Sequence, residues 1–201
     1  MNNIQVDRDR SKALQFVQDG RYDDALEIFE LIVSRSDHPW DYLWRAHLNL
    51  LLGNHRDALS DYELVLDRDP SDRSALYHAA LIYATSPVEE LRNGARALQL
   101  ARVANQALKS DWRILALVAA SFAECGDFAN AIKYANDAMV DAPQAIRERL
   151  IDRVVGYDNS EPCRLAFEDF RIDGTFSWTK SQLTAFNPIA PPDELQGQDG
   201  P

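Results

Sequence analysis

Two cysteines and eight scattered glycines among 201 residues place several kinds of protein out of reach. Cys125 and Cys163 lie in different segments without CxxC spacing, so neither a disulfide framework nor a thiolate metal site is written in the chain. That usage fits a reducing compartment, and the expected location is cytoplasmic. The glycines are isolated from one another, which leaves no Gly-rich loop to cradle a phosphate. No stretch approaches the ~18 uninterrupted apolar residues of a membrane helix; the longest apolar patch, 114–120, sits inside an amphipathic pattern. The opening MNNIQVDRDRSKALQ lacks the basic start and apolar run of a signal peptide. Bases are outnumbered, 21 Lys and Arg against 32 Asp and Glu, for a net charge of −11. An acidic chain has no electrostatic footprint for nucleic-acid phosphates or anionic lipids, so neither is an expected partner.

What the chain does contain is an internal repeat. Gly20-Arg-Tyr22-Asp-Asp-Ala25 aligns with Gly53-Asn-His55-Arg-Asp-Ala58 and with Gly126-Asp-Phe128-Ala-Asn-Ala131. Seven residues before each Gly stands a small residue, Ala13, Ala46 or Ala119, and four after each closing Ala stands Phe29, Tyr62 or Ala135. Pro70 and Pro143 follow twelve residues after Ala58 and Ala131. Gly supplies positive φ where a first helix must turn into a second. The alanines let the two helices approach, the aromatic fills the gap between repeats, and proline closes the unit. A further copy lies between the second and the last, with Leu76, Ala80 and Tyr83 on its first helix and Ala97, Ala101 and Ala104 on its second. It lacks the turn Gly; Ser86-Pro87-Val88-Glu89 reads there as a helix start, with a loop about five residues longer than in the other copies. One such pair cannot bury its apolar face alone, so pairs stack into a solenoid.

These residues resemble the tetratricopeptide repeat family, in four copies over about Val6–Pro143, and the stretch from Ala84 through FAECGDFANAIKYANDA resembles a subclass common in bacterial repeat proteins. The pattern has departures: Asp37 replaces the closing proline of the first copy, and Lys12 and Arg45 replace a customary Leu. The fold this implies is all-α, a right-handed α-solenoid of about four helix-turn-helix repeats. After it, 144–155 reads as a capping helix with Ile146, Leu150, Ile151, Val154 and Val155 inward, Arg147, Glu148, Arg149, Asp152 and Arg153 outward, and Gly156 as its stop. The chain thus divides into an array over 1–156 and an acidic tail over 157–201. The tail has eight acids, three bases and the apolar Phe176, Trp178, Leu183, Phe186 and Ile189, with a short helix expected over 161–170. Phe176, Trp178 and Phe186 are the residues expected to contact the array or a partner, and the polar end is expected to be partly disordered.

No catalytic constellation emerges. The four histidines form no HxxxH or HExxH arrangement, and His55 occupies an aromatic packing slot. His47 and His78 approach each other if the first helices of copies two and three lie side by side, but further metal ligands are missing. Cys125 has Glu124 and Asp127 as neighbours, the wrong setting for a thiolate nucleophile. No metal or cofactor is expected, and the chain is read as not an enzyme. The suggestive constellation is aromatic: Trp40, Trp44 and His47 share one helical stripe, with Tyr77, His78 and Leu81 at corresponding places in the third copy and Arg113 and Leu117 in the fourth. The resemblance implies that such first-helix positions line a concave groove for a partner peptide. The alternative is that they pack between repeats. A carboxylate clamp of the kind some family members use is not expected, because Asp7, Arg10, Leu14, Leu43, Trp44, His47, Ser74, His78, Arg113 and Leu117 supply only two permanent cations. The resulting expectation is a scaffold binding a protein partner, with self-association or autoinhibition through the tail as the alternative.

Overall fold

The computed structural model describes residues 3–107 and 111–164. Among these there are nine α-helices and one short 3₁₀ turn: α1 (Asn3–Gln18), α2 (Tyr22–Val33), α3 (Pro39–Leu51), α4 (His55–Arg68), α5 (Arg73–Thr85), the 3₁₀ turn Glu89–Leu91, α6 (Gly94–Ala107), α7 (Trp112–Glu124), α8 (Phe128–Asp141) and α9 (Gln144–Asp158). Each helix packs on its neighbours in the chain, and α5 also lies on α7. The layout is four antiparallel pairs stacked in sequence and closed by α9.

The turns within pairs form as the glycine spacing requires. Gly20, Gly53 and Gly126 have φ of 74°, 83° and 78°. In each turn the glycine N–H donates to the carbonyl three residues back, and the next N–H reaches five residues back. Arg21 donates to Phe16 O at 2.8 Å, Asn54 to Asn49 O at 2.8 Å, and Asp127 to Phe122 O at 2.9 Å. That bonding satisfies the last carbonyls of the first helix and reverses the chain at once. A Cβ at Gly20 or Gly126 would meet nothing within 4 Å, so the demand for glycine there is one of dihedral angle, not of space.

The third pair differs from the expectation. α6 does not start at Ser86; that segment forms the 3₁₀ turn, with Ser86 Oγ accepting from Val88 N–H at 3.1 Å. The helix begins at Gly94, where Asn93 Oδ1 accepts from Arg96 N–H at 3.0 Å. The reason is tertiary. A Cβ on Gly94 would stand 2.9 Å from Cys125 N, Cys125 Sγ and Glu124 C, so the end of α7 rests directly on the start of α6. Arg92 fixes the contact from the side, its Nε donating to Glu124 Oε1 at 3.2 Å.

One continuous core runs through the second, third and fourth pairs, from Ala46 and Tyr62 to Ala131 and Ala135. A smaller core joins α1 and α2 to Trp44 and Leu48 of α3. Buried ion pairs lie between these layers. Asp41, fully buried, receives Arg10 at 2.8 and 2.7 Å and Ser36 Oγ at 2.6 Å. Asp61 receives Arg45 at 2.8 and 2.7 Å. Arg45, a departure from the repeat pattern, is therefore matched by a carboxylate on the paired helix, and two-point bonding offsets the loss of hydration at both charges.

α9 corrects two expectations. The helix runs past Gly156 through Tyr157, which is buried in the main core, to Asp158. Leu150 is buried and Ile146 and Val154 are half-buried, but Ile151 and Val155 are 52% and 56% exposed. Leu150 and Ile151 are adjacent in sequence and so lie about 100° apart around the axis; packing selects one of them. Phe176, Trp178 and Phe186 lie outside the described residues, as do residues 165–170 of the expected 161–170 helix, whose described start, 161–164, is not helical.

Candidate partner-binding face

The aromatic stripe of α3 forms because Trp40, Trp44 and His47 fall on one face, fixed at its start by His38, whose Nδ1 accepts from Trp40 N–H at 3.2 Å, and by Pro39 at the first turn. Trp44 stacks on Phe29 of α2 with centroids 6.0 Å apart and planes 7° from parallel. Trp40 meets both rings edge-on, at 6.1 Å from Phe29 and 5.8 Å from Trp44. The chain of rings continues inward. His47 lies 5.5 Å from Tyr62 and 4.9 Å from His78, and Tyr77 meets His78 at 5.1 Å.

The two histidines thus come together as their register suggests. Ser74 Oγ stands 2.9 Å from His47 Nε2 and 3.2 Å from His78 Nδ1, and His78 Nδ1 is 2.8 Å from Ser74 O. A carbonyl can only accept, so that nitrogen carries the proton. Burial holds both imidazoles neutral. It lowers His47 well below its ordinary value, with His78 adding repulsion, and it lowers His78 to about 4 against a smaller upward effect of Ser74 O. Among the described residues no group of three or more His, Cys, Asp or Glu is placed to hold a metal ion. Cys125 is exposed, and its thiol is pushed up by partial burial, then by Glu124 and Asp127, the reverse of what a nucleophile needs.

The eight anticipated groove residues separate by depth. Trp44 at 5% exposure and His78 at 7%, together with His47, Leu81 and Leu117, are core residues. Trp40 and Tyr77 are half-buried, and Arg113 is exposed. A second row emerges three residues before each small residue of the first helices: Arg10, Leu43, Tyr77 and Ala116. The first three are partly exposed, and Leu14 and Trp40 stand near the row's start in the same state. The spacing to Ala13, Ala46, Ala80 and Ala119 was available to find this row, but its partial exposure was not.

The cations of the face are already engaged. Arg10 is held by Asp41 and lies 5.7 Å from the centre of the Trp40 ring. Arg113 donates to Asp111 at 2.6 Å from Nη2 and 3.0 Å from Nε. A face whose guanidinium groups already have carboxylate partners offers an incoming carboxylate little, and its distinguishing surface is apolar and aromatic.

No family model and no curated protein sequence matches the chain. Solved structures do. A MamA fragment running from residue 41 to the end, from Desulfovibrio magneticus RS-1, aligns with a TM-score of 0.66 at 13% identity, covering 90% of this chain and 97% of that one. A tetratricopeptide repeat protein from Parabacteroides merdae gives 0.64 at 17%, covering 92% and 83%. TTC0263, a thermophilic TPR protein of Thermus thermophilus, gives 0.56 at 18%, covering 90% and 95%. Identities this low speak to the fold, and the likeness extends along most of each chain. The fold is that of the tetratricopeptide-repeat proteins, as the spacing of Gly20, Gly53 and Gly126 implied.

Proposed function

We propose that the chain is a protein-interaction scaffold, not an enzyme, and that it binds a partner peptide along the row from Leu14 and Trp40 through Leu43 and Tyr77 to Arg113. The observation that carries this reading is a contrast of depth. Trp44, His47 and His78 form a buried, ring-stacked floor, while the residues above it on the same helices keep apolar and aromatic surface half-exposed. A rigid floor under aromatic anchors is the arrangement in which a few side chains carry most of a binding energy. The occupant it suits is an extended or helical peptide with hydrophobic anchors and little negative charge, since the chain carries −11 and its groove arginines are paired.

The depth of the residues decides which test is clean. Trp44→Ala with His78→Ala empties the core and loses binding through unfolding. Leu43→Ser with Tyr77→Ala alters half-exposed side chains. Crosslinking mass spectrometry in the native host is expected to lose the wild-type partner's crosslinks in that double variant, with affinity for the isolated partner down about tenfold or more. Full retention of every specific crosslink would remove this face as the binding site.

A second reading is that the tail occupies the same face of its own chain or of a second copy, favoured by its Phe176, Trp178 and Phe186. Replacing these three with Ser should then raise affinity for an added partner or change the oligomeric state; constancy in both sinks it.

A further inference from the structure

The second and third pairs are joined differently from the third and fourth. α5 and α7 meet through small residues, Ala84 and Ala120, in one cluster with Ala97 of α6. Between α3 and α5 the filling is rings. His47 and His78 meet edge to face at 4.9 Å, and Tyr62 of α4 lies 5.5 Å from His47 and stacks on His78 at 5.4 Å. Trp44 adds its ring 6.3 Å from His47, and Tyr77 stands 5.1 Å from His78. Both imidazoles are buried, and Ser74 Oγ is within hydrogen-bond distance of each. Two half-exposed residues of the binding row adjoin this joint, Trp40 through Trp44 and Tyr77 through His78.

The charged groups on the surrounding helices are committed to one another. Arg10 of α1 holds Asp41 of α3, and Arg45 of α3 holds Asp61 of α4. Glu30 of α2 acts on Arg45, and Phe29 is the ring that α2 brings to Trp44. Asp72, before the first residue of α5, accepts from Ala75 N–H at 2.7 Å. Arg113 of α7, which faces Tyr77, is bound to Asp111. Burial pushes the Tyr62 hydroxyl well up, and Asp61 and Asp72 push it further, so it stays neutral. A proton on His47 or His78 therefore enters a layer whose neighbouring charges are already matched, and a second proton would lie one ring contact from the first. Water stabilises an imidazolium, and it gains access when α3 and α5 separate.

From this geometry we infer that the ring-filled joint between α3 and α5 is an acid-sensitive latch: protonation of the His47–Ser74–His78 cluster parts the two helices and dismantles the binding row beside it. The α5–α7 joint, closed by alanines, has no titratable ring in its cluster and stays shut. The consequence for a partner rests on the function proposed above; the parting itself belongs to the free chain and is measured there. The direction follows from burial. His78 titrates at about 4 in the folded array and near 6.5 when the joint is open to water, so the latch is fully closed above about pH 6.5 and loosens as pH falls toward 4.

Hydrogen exchange of the full-length protein, corrected for the intrinsic pH dependence of amide exchange, tests it. Between pH 7 and pH 5 the protection factors across 39–51 and 73–85 are expected to fall about twentyfold from His78 alone. Those of α8 and α9, which can open from the end of the array without disturbing the histidines, are expected to stay within about twofold. In His78→Asn the fall across 39–51 and 73–85 should shrink at least threefold, roughly, as the linked proton is removed. A measurement on the wild type needs no variant to fold: the His78 ring resonances should titrate below about pH 5. Unchanged protection across α3 and α5, or a His78 midpoint near 6.5, would overturn the inference. So would an equal fall in α8 and α9, which would make the array one cooperative unit with no latch in it. None of these outcomes depends on a partner, so the binding row stands or falls separately on its Leu43→Ser and Tyr77→Ala crosslinks.

Discussion

The four positive-φ turns separate two demands that a glycine can answer. At Gly126 nothing stands near a Cβ, so Gly126→Ala should cost about 1 kcal/mol through the left-handed dihedral alone. Gly94 has an ordinary dihedral but no space, and Gly94→Ala must push α6 off the end of α7, losing roughly 1–3 kcal/mol as overpacking does. Ser160 is the converse, a residue with a Cβ in a glycine's conformation. Ser160→Gly is expected to raise stability by about 0.5–1 kcal/mol, and a fall in melting temperature would refute this account of the turn. The sequence announced Gly20, Gly53 and Gly126, because dihedral demand comes with a fixed spacing. It gave no sign of Gly94, whose need arises from Cys125, 31 positions away.

At the scale of the helix, legibility depended on whether a residue's partner was local. Helix starts at Asp72, Asp111 and Asp127 follow from side chains that accept from N–H groups two or three residues on. The start of α6 did not follow, because Ser86-Pro87-Val88-Glu89 is as good a local signal as Asn93 and only the contact with α7 chooses between them. Arg45 in a position customary for Leu is explained by Asp61 on the paired helix. Asp61→Ala should therefore cost about 3 kcal/mol by leaving a half-buried guanidinium without its carboxylate, whereas Arg45→Leu with Asp61→Leu should come close to wild-type stability. Chemical denaturation of the two single variants and the double variant measures the coupling; simple additivity would show that the pair is not coupled.

Across the whole molecule, the His47–His78 contact joins α3 to α5 beneath Tyr62 of α4, at the middle of the array. Both imidazoles titrate lower in the folded chain than when unfolded, near 6.5. The unfolded state then binds more protons, so this contribution is complete above about pH 6.5 and is lost as pH falls toward the folded value, about 4 for His78. Between roughly pH 7 and 5 the loss from His78 alone is on the order of 2 kcal/mol. Thermal melts over that range should fall less steeply in His78→Asn than in wild type, and parallel slopes would remove the histidine from the explanation.

The sequence by itself determined the all-helical class, the 33- to 34-residue period and the three glycine turns, because each is a matter of local dihedral angle, spacing or residue type. Tertiary structure alone decided depth. Trp44 and Leu43 are neighbours on one helix, equally apolar and equally suited to a groove. Stacking on Phe29 buries the first, while the second stays half-exposed. The same choice sets Leu150 inside and Ile151 outside, because a helix presents every side to solvent until a neighbouring helix covers one of them.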